Sequence, residues 1–579
     1  MQQKVRSANI KGSTWIVLLL ILIATAFASL TRMLRLEELP FELHRDEAAI
    51  GYNAYSILKT GLDEHGQGPF PLVYASFGDF KLPGLLYLTA ASINFFGFSV
   101  FAVRLPTAIL AVALVPLSAV LAMELFKDKT IAATTSIMVS TSLWHTFLAR
   151  TAYEPIGALT LHVAALVCLL KTRQSQWYFL LAALFFLLSF LTYNVPLLLF
   201  PFVVLGYIAT YIRQQNYGKK IFWIGIFLLF AVAFIAVALS RTATAGKQNA
   251  TIFTNTEAAV WVKTQQDSLF LLGLPHRIRQ TVVNLPYTHM IRFVRGYVAA
   301  YNPEFLFFTG GVNPWHNLLE LQLGNMYPVL IFPLLTAIVV LCRKLPKLTS
   351  GEWLLLGYLI ISPIPDAVTI DAPVTNRLLD FHFALLLLAA YGFVAMLRLS
   401  RRFVIGKLLV AFLVLIYCYS VTLFLSRYFL LENQRLEVEW APGTRQLFTY
   451  LEQYKGVYDR IYISGKPRGG LQEISTPYIF AAFFTKHNPH DLQQFGEWTK
   501  GNSLFNAYSM PPFYFRDIPE PHNWTATDWQ EYLPGSVQTV LVVYRTDKPQ
   551  EIKTRDAMFT LAVPHSDVIL YAYEVTKPE

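Results

Sequence analysis

The chain has 579 residues, of which 54% are hydrophobic and 15% are charged, whereas soluble domains carry about 25% charged residues. This composition excludes an ordinary soluble protein, and it excludes intrinsic disorder, which requires low hydrophobicity and high charge. The net charge of +10 comes from short basic clusters between apolar runs, which is typical of membrane-flanking anchors and not of a nucleic-acid-binding surface. Three cysteines, Cys168, Cys342 and Cys418, lie inside apolar runs, so a disulfide scaffold is excluded.

Eleven apolar runs are long enough to cross a hydrocarbon core of about 30 Å, which takes about 20 helical residues. In chain order they lie near 14–34, 104–123, 131–149, 155–171, 177–194, 195–212, 221–240, 325–342, 352–370, 378–397 and 403–426. A twelfth run, 82–98, is short and contains prolines and glycines, so its length alone does not say whether it spans.

The distribution of Lys and Arg decides whether 82–98 spans, because these residues accumulate in short cytoplasmic loops. If 82–98 does not span, the basic N-terminus and five basic loops all face the cytoplasm. These loops are 127–129, 171–173, 213–220, 343–347 and 398–402. If 82–98 does span, all five loops move outside, so we predict an in-plane or re-entrant helix there. Ala26-Phe27-Ala28 resembles a signal-peptide cleavage site, but the apolar run continues to Leu34, which favours a retained helix.

This topology places the long connections, about 35–103 and 241–324, and the tail 427–579 on the outer face. The tail is richer in charge, proline and glycine, and it contains the strand-like runs Arg460–Ser464 and Thr539–Tyr544. We therefore predict a polytopic α-helical membrane domain over 1–426, in the cell membrane, followed by a small extracytoplasmic α/β domain over 427–579.

The first outer loop is the most informative stretch for chemistry. Asp46 and Glu47 precede a helical segment, where carboxylates can simply cap the first turn. Lys81-Leu-Pro closes the same loop, and Arg104-Leu-Pro opens the next span. Together these residues can bring carboxylates and cations to one cleft at the membrane surface.

The order of these motifs resembles the GT-C glycosyltransferases, and most closely the family-39-like branch of protein O-mannosyltransferases and lipid A aminoarabinose transferases. The motifs are Asp46-Glu47-Ala48, Lys81-Leu82-Pro83, Gly97 to Pro106, Ala149 to Pro155 as a second outer loop, and Pro373 to Leu378 before a late span. The resemblance covers about residues 14–426, and the tail carries no motif of this family.

The resemblance implies the GT-C fold and an inverting transfer of a sugar from a polyprenyl-phosphate donor. The acceptor, a protein, a lipid or a cell-wall glycan, lies outside the cytoplasm. It implies Asp46 as the catalytic base, Glu47 as its support or a sugar contact, Glu154 as a second acid, and Lys81 and Arg377 as phosphate partners with Arg104 and Arg150 behind them. These residue types suit the reaction, because a carboxylate can take the acceptor proton and cations stabilise a leaving phosphate.

Structural interpretations of the same residues remain open. Arg104 is also expected as a membrane anchor, and Arg150 as the partner of Glu154 in a structural ion pair. Arg377 fits the anchor interpretation less well, because an outer-face arginine runs against the cytoplasmic bias. His44 is a candidate substrate contact, although a single histidine is more often a hydrogen-bonded core residue.

No histidine or cysteine spacing matches a zinc site, and no cofactor is indicated with certainty. A divalent cation between Asp46 and Glu154 remains an alternative. The competing function is a transporter or flippase of lipid-linked sugars. Such a protein should carry ionisable residues near the middle of its spans, whereas here they gather at the outer edge.

Overall fold

The computed structural model describes residues 2–77, 79–211, 223–225, 227–228, 230–231, 250–311, 323–431, 443–464, 476–495, 497–498, 507–516, 518–546, 557–563 and 569–577. Its helices are α1 Gln2–Met33, α2 Arg45–Thr60, α3 Gly84–Phe96, α4 Val100–Phe126, α5 Lys129–Thr141, α6 Leu143–Ala149, α7 Glu154–Lys171, α8 Tyr178–Thr192, α9 Val195–Tyr211, α10 Thr256–Leu271, α11 His276–Val282, α12 Leu285–Ala299, α13 Pro303–Phe307, α14 Ile331–Lys344, α15 Ser350–Ile361, α16 Ile364–Ala367, α17 Leu379–Ser400, α18 Val404–Ser426, α19 Thr444–Leu451, α20 Pro477–Phe484, α21 Pro489–Phe495 and α22 Ala526–Tyr532. Its strands are β1 Tyr74–Ser76, β2 Asp79–Lys81, β3 Arg460–Ile463, β4 Glu497–Trp498, β5 Ala507–Met510, β6 Phe513–Phe515, β7 Thr539–Thr546, β8 Phe559–Ala562 and β9 Ile569–Thr576.

Within the described residues, six helical segments are long and apolar enough to cross a membrane. They are Thr14–Met33, Val100–Phe126, Glu154–Lys171, Pro328–Lys347, Leu379–Ser400 and Val404–Leu430. The shorter apolar helices Tyr178–Thr192 and Val195–Thr210 also fall on predicted spans. The prediction of a multi-pass membrane protein is therefore confirmed. The number of eleven spans stays a prediction, because 221–240 lies almost entirely outside the described residues.

Two predicted spans are each divided into two helices. The run 131–149 forms α5 and α6, which are separated by Ser142 in extended backbone conformation. The run 352–370 forms α15 and the single turn α16, with Ser362 and Pro363 between them. A proline has no N–H for the helical ladder, which accounts for the second break.

The segment predicted to lie in the membrane plane forms α3, which has 13 residues. At 1.5 Å per residue α3 is about 20 Å long, too short for a core of about 30 Å. A contact at the start of the first span gives independent support for a helix that does not cross the membrane. The Lys129 amine donates to the Thr14 hydroxyl at 2.7 Å, so the loop after α4 lies at the same end of the bundle as the start of α1. That placement requires an even number of spans between them, which α1 and α4 already provide.

A second predicted cytoplasmic loop, 398–402, meets the loop 127–129 at this end as well. Arg398, in the last turn of α17, pairs with Asp128, the N-cap of α5. A close approach of two of these helices depends on one glycine: a Cβ atom on Gly392 of α17 would lie 1.8 Å from the carbonyl oxygen of Pro333 in α14. Any larger residue at position 392 would push the two helices apart.

The chain divides into two compact units, and this division does not follow the predicted domain boundary at residue 426. The first unit contains residues 1–34 and 107–426, and the second contains residues 35–106 and 427–579. The first outer loop thus belongs to the same unit as the tail. The physical reason is that α2 packs against α20 and α21, a long-range contact that no local sequence pattern reveals.

The second unit contains a sheet of seven strands in the order β4-β5-β6-β3-β7-β9-β8. Strand β3 pairs in parallel with both β6 and β7, and β9 pairs antiparallel with β7 and β8. The central strand β7 is buried at seven of its eight positions, as its continuous apolar sequence predicts. An α/β architecture for the tail is therefore confirmed, and both predicted strand-like runs are neighbours at the centre of the sheet.

Candidate active site

The two adjacent carboxylates of the first outer loop have different environments in the first turn of α2. His44 is the N-cap, and its Nδ1 accepts the backbone N–H of Asp46 at 3.2 Å. Glu47 closes a capping box, because its Oε2 accepts the backbone N–H of His44 at 3.0 Å. Glu47 is fully buried, whereas the side chain of Asp46 is 24% exposed. Of the two, Asp46 is the carboxylate that a substrate can reach.

Arg104 is buried, and all five of its N–H groups are used within the protein. Its Nε and Nη2 donate to the two carboxylate oxygens of Glu47 at 2.9 and 3.1 Å. The remaining donors reach the carbonyl oxygens of Leu36, Pro40 and Glu42 at 3.2, 2.8 and 2.8 Å. Arg104 was predicted to bind substrate and Glu47 to take part in catalysis. Both roles stay predictions; in the structure the pair holds the loop before α2 against the first turn of that helix.

Lys81 reaches Asp46 from a short β-hairpin. Strands β1 and β2 pair antiparallel with Tyr74 opposite Lys81, and the turn between them contains Phe77 in the left-handed region at φ 51°. The Lys81 amine lies 3.1 Å from Oδ1 of Asp46. The guanidinium of Arg45 lies 5.6 Å from the centre of the Phe77 ring and fixes the turn beside α2. The structure thus brings Lys81 beside Asp46, as the sequence predicts.

These charges set the ionisation of Asp46. Desolvation raises the pKa of Asp46, but the charges of Lys81, His44 and Arg45 outweigh it and hold the pKa well below the usual range of an aspartate. His44 lies 3.8 Å from Oδ2 of Asp46 and is itself almost fully buried. His44 therefore acts on Asp46 through charge and capping, and the predicted contact of His44 with substrate stays a prediction.

A second polar cluster lies in the first compact unit, just before α17. Arg377 donates to Oδ1 of Asp371 at 2.5 Å and to the hydroxyl of Thr369 at 2.8 Å, and it lies 4.0 Å from Asp366. Asp366 is buried and accepts the backbone N–H of Val374 at 3.2 Å. The Arg377 side chain is held by these carboxylates and remains 26% exposed.

Glu154 and Arg377 both act electrostatically on one residue of this unit, Tyr193. Glu154 is the first residue of α7, and Tyr193 ends α8. The charges of Arg377, Glu154 and Asp366 all act on the Tyr193 phenol. Sequence reasoning missed Tyr193, although its position between two spans at the same outer edge as Glu154 was a usable signal.

Arg150 lies against the C-terminal end of α1. It is fully buried, and its Nη1 and Nη2 donate to the carbonyl oxygens of Thr31 and Leu34 at 2.8 and 2.7 Å. These carbonyls belong to the C-terminal end of α1 and the residue after it, where a cation satisfies free acceptors and complements the helix dipole. Arg150 thus caps α1, and its binding of substrate stays a prediction.

One polar cluster inside the bundle was not expected. His162 of α7 lies 2.7 Å from Oδ1 of Asp380, which also accepts the hydroxyl of Tyr358 at 2.5 Å. All three lie among the spans, and Tyr358 also lines an apolar cavity of about 380 Å³. His162, near the middle of α7, is thus an exception to the predicted gathering of ionisable residues at the outer edge.

The part of the chain that the structure describes brings together no group of three or more His, Cys, Asp and Glu side chains that could hold a metal ion. At Asp46 the nearest charged partner is the Lys81 ammonium, which already neutralises the carboxylate. A divalent cation at Asp46 and Glu154 stays an untested alternative.

Comparison with known proteins gives a consistent picture. Residues 22–249 match the sequence profile of the family described as dolichyl-phosphate-mannose-protein mannosyltransferase. No curated protein matches the sequence.

Solved structures of the GT-C fold match almost the whole chain. ArnT from Cupriavidus metallidurans in the apo state matches with a TM-score of 0.51 and 11% identity, covering 97% of this chain and 98% of ArnT. The same protein bound to undecaprenyl phosphate gives 0.50, 10%, 97% and 98%. The oligosaccharyltransferase AglB from Archaeoglobus fulgidus, in complex with an inhibitory peptide and a dolichol-phosphate, gives 0.50 and 13%, covering 92% of this chain and 69% of AglB. At these identities the likeness establishes the fold.

Proposed function

We propose, from the premise that this chain is a membrane glycosyltransferase with the GT-C fold, that it transfers a sugar from a polyprenyl-phosphate donor to an acceptor hydroxyl outside the cytoplasm. The profile matched by residues 22–249 is that of enzymes named for a dolichyl-phosphate sugar, and ArnT binds undecaprenyl phosphate. The observation that carries the proposal is the ion pair of Asp46 and Lys81, in which a carboxylate and a cation are held together and partly exposed.

In the proposed reaction the acceptor oxygen attacks the anomeric carbon of the donor. Its proton passes to Oδ of Asp46 while the bond between the anomeric carbon and the phosphate oxygen breaks. The phosphate leaves with the bonding electrons, and attack from the opposite face inverts the anomeric centre. A phosphate monoester is already a good leaving group, so cations that stabilise its charge replace a general acid.

Lys81 links donor binding to the strength of the base. In the free protein its ammonium holds the pKa of Asp46 low, which keeps the carboxylate ionised but makes it a weak proton acceptor. When the donor phosphate draws the Lys81 ammonium to itself, Asp46 loses its closest positive charge and its pKa rises. The base therefore gains strength when a donor is bound.

Arg377 is our candidate for a second phosphate contact. Its carboxylate partners orient the guanidinium from one side, and its exposed part can donate to phosphate oxygens in a bidentate manner. Glu154 and Tyr193, which interact electrostatically around the same arginine, are proposed to bond the sugar hydroxyl groups.

The proposal is tested with purified protein and radiolabelled polyprenyl-phosphate sugars, offered one at a time with protein, lipid and glycan acceptors. Transfer from at least one donor is expected, and it should be lost in Asp46→Asn. Absence of transfer from every polyprenyl-phosphate sugar, by protein that binds those lipids, would reject the proposal.

A transporter or flippase of lipid-linked sugars is the second candidate, and the buried cluster of His162, Asp380 and Tyr358 is the observation that favours it. Ionisable groups among spans often mark transport pathways. Proteoliposomes decide between the two candidates: a flippase moves the labelled lipid between leaflets without an acceptor and depends on His162, whereas the glycosyltransferase produces a glycosylated acceptor and depends on Asp46.

A further inference from the structure

The segment that leads into the Asp46 helix is held by residues far along the chain, within the same compact unit. Glu42 is the central residue of this contact and is 1% exposed. Its Oε1 accepts the backbone N–H of Gly443 at 2.9 Å, and its Oε2 accepts the hydroxyl of Thr444 at 3.3 Å. Its backbone carbonyl accepts from Arg104. Glu42 therefore joins the Arg104–Glu47 pair to the start of α19.

Gly443, whose backbone N–H donates to Glu42, lies at a position that favours glycine. Gly443 has φ +84°, and a Cβ atom there would lie 2.7 Å from Cγ2 of Val563. Only glycine takes this conformation in this space at low cost, and the conformation directs its N–H to the carboxylate. Arg445, two residues later, donates to the carbonyl oxygen of Glu37 at 3.0 Å, so the same turn holds the loop at two points.

The body of α2 is fixed by the same part of the chain. The hydroxyl of Tyr478 in α20 donates to Oε2 of the buried Glu64 at 3.3 Å. The Nε2 of Gln493 in α21 donates to Ser56 and Thr60 of α2 at 3.1 and 3.0 Å. A Cβ atom on Gly51 of α2 would lie 2.6 Å from the Phe483 ring, so helix and tail are in direct contact. The middle and the C-terminal end of α2 are thus held by residues of the tail.

We infer that Glu42 is a positioning residue, through which the C-terminal residues hold Asp46 in its reactive position. This rests on the proposed function, because it assigns to the tail a part in the reaction of Asp46. Removal of the Glu42 carboxylate leaves the Gly443 N–H and the Thr444 hydroxyl without an acceptor and frees the loop before α2. A displacement of about 1 Å at a reacting group can lower a rate by about 100-fold, so the effect should appear in kcat.

Because Glu42 is buried, its carboxyl group requires hydrogen-bond donors from the protein. Desolvation raises the pKa of Glu42 to about 7, and the N–H of Gly443, the charge of Arg445 and the hydroxyl of Thr444 oppose this rise. The carboxyl group is held in place by donors that belong entirely to the C-terminal residues. A glutamine at this position keeps an oxygen acceptor for Gly443 and has the same length.

The test compares Glu42→Ala and Glu42→Gln in wild-type and Asp46→Asn backgrounds, with full-length protein in detergent. Arg516→Gln, which removes an exposed ion pair with Glu531 in the same C-terminal part, is the matched control. Glu42→Ala should lower kcat by about 10- to 100-fold with a donor KM within about 2-fold of wild type. Glu42→Gln and Arg516→Gln should stay within about 3-fold of wild type.

The double variant separates positioning from a purely structural role. If Glu42 acts through Asp46, Glu42→Ala lowers the residual rate of Asp46→Asn by less than about 3-fold, because the group that it positions is already disabled. A structural role lowers both backgrounds by the same factor and overturns the inference, as does wild-type kcat in Glu42→Ala. Should Glu42→Ala fail to fold, Thr444→Val, which removes one hydroxyl donor, is compared in the same two backgrounds under the same criteria.

Failure of this inference is distinguishable from failure of the proposed function. If Asp46→Asn loses activity while Glu42→Ala keeps it, only the positioning part of Glu42 is rejected. If Asp46→Asn keeps wild-type activity, the base assignment is rejected and the inference with it.

Discussion

Asp46 and Glu47 are adjacent residues of one helical turn, yet they do different work. The carboxylate of Glu47 is bonded to Arg104 and to the backbone N–H in the capping box, whereas Asp46 stays partly exposed beside Lys81. From the sequence alone either carboxylate can be the catalytic one, because two carboxylates before a helix can both cap it and both bind substrate. The distinction comes from Arg104, a residue more than fifty positions away along the chain whose donors are aimed at only one of the two.

Lys81→Met should change the pH dependence of kcat/KM, which reports the free enzyme. In wild type the pKa of Asp46 is held below its usual range, so the acid-side loss of activity should lie below the range of an ordinary aspartate. Without the Lys81 charge, desolvation raises that pKa, and the loss should move to higher pH. Lys59→Met, which removes an exposed lysine at the other end of α2, is the control. An unchanged acid limb in Lys81→Met would refute the coupling.

Arg377→Ala should lower kcat/KM for the donor by about 10- to 100-fold, because a hydrogen bond to a charged group contributes about 1.5–3 kcal/mol. Arg377→Lys should recover only part of this, since an ammonium cannot form the bidentate contact. Arg343→Ala, in a predicted cytoplasmic loop, is the control. If Arg377→Ala is folded and binds and uses the donor as wild type does, Arg377 serves only its carboxylate neighbours.

The elements show where sequence patterns suffice and where they fail. Long apolar runs predict the spans well, because hydrocarbon thickness fixes both length and composition. The breaks at Ser142 and Pro363 were missed, since hydropathy is averaged over windows longer than one turn. The association of α2 with α20 and α21 was also missed, because it joins residues more than 400 positions apart. The motifs correctly placed Asp46 beside Lys81, but they could not separate substrate contacts from buried clamps such as Arg104 and Arg150.

Arg104→Lys should destabilise the protein more than it changes donor recognition. A lysine supplies three donors in place of five, and each buried acceptor that is left unsatisfied costs about 1–3 kcal/mol. We expect a clearly lower midpoint of thermal unfolding in detergent. Arg35→Lys, at an exposed pair with Glu38 in the same loop, should leave the midpoint nearly unchanged. If Arg104→Lys unfolds at the wild-type midpoint but binds the donor more weakly, Arg104 is a substrate contact and this prediction is wrong.

At the scale of the molecule, the arrangement of loops in the first unit supports the charge-based topology. Lys129 meets the start of α1 and Arg398 meets Asp128, so predicted cytoplasmic residues gather at one end of the bundle. Glu154, Tyr193 and Arg377 belong to connections predicted on the other side. The absolute orientation follows from the positive-inside rule and is therefore our proposal.

Single cysteines test that orientation in a background in which Cys342 and Cys418, both exposed, are replaced. Ser99→Cys should react with a membrane-impermeant reagent from outside intact cells. Lys127→Cys should react only after the cells are opened. Labelling of Lys127→Cys in intact cells would invert the topology and place the proposed site on the cytoplasmic side.

The most direct test of the account measures sugar transfer and donor binding by wild type and Asp46→Asn. Asparagine keeps the shape of aspartate but cannot take a proton. We expect kcat to fall by about 10²- to 10⁴-fold with donor binding largely kept, while Glu38→Gln, an exposed carboxylate of the same loop, behaves as wild type. Wild-type turnover by Asp46→Asn would contradict the account, because Asp46 would then be a helix-terminal residue and not the base.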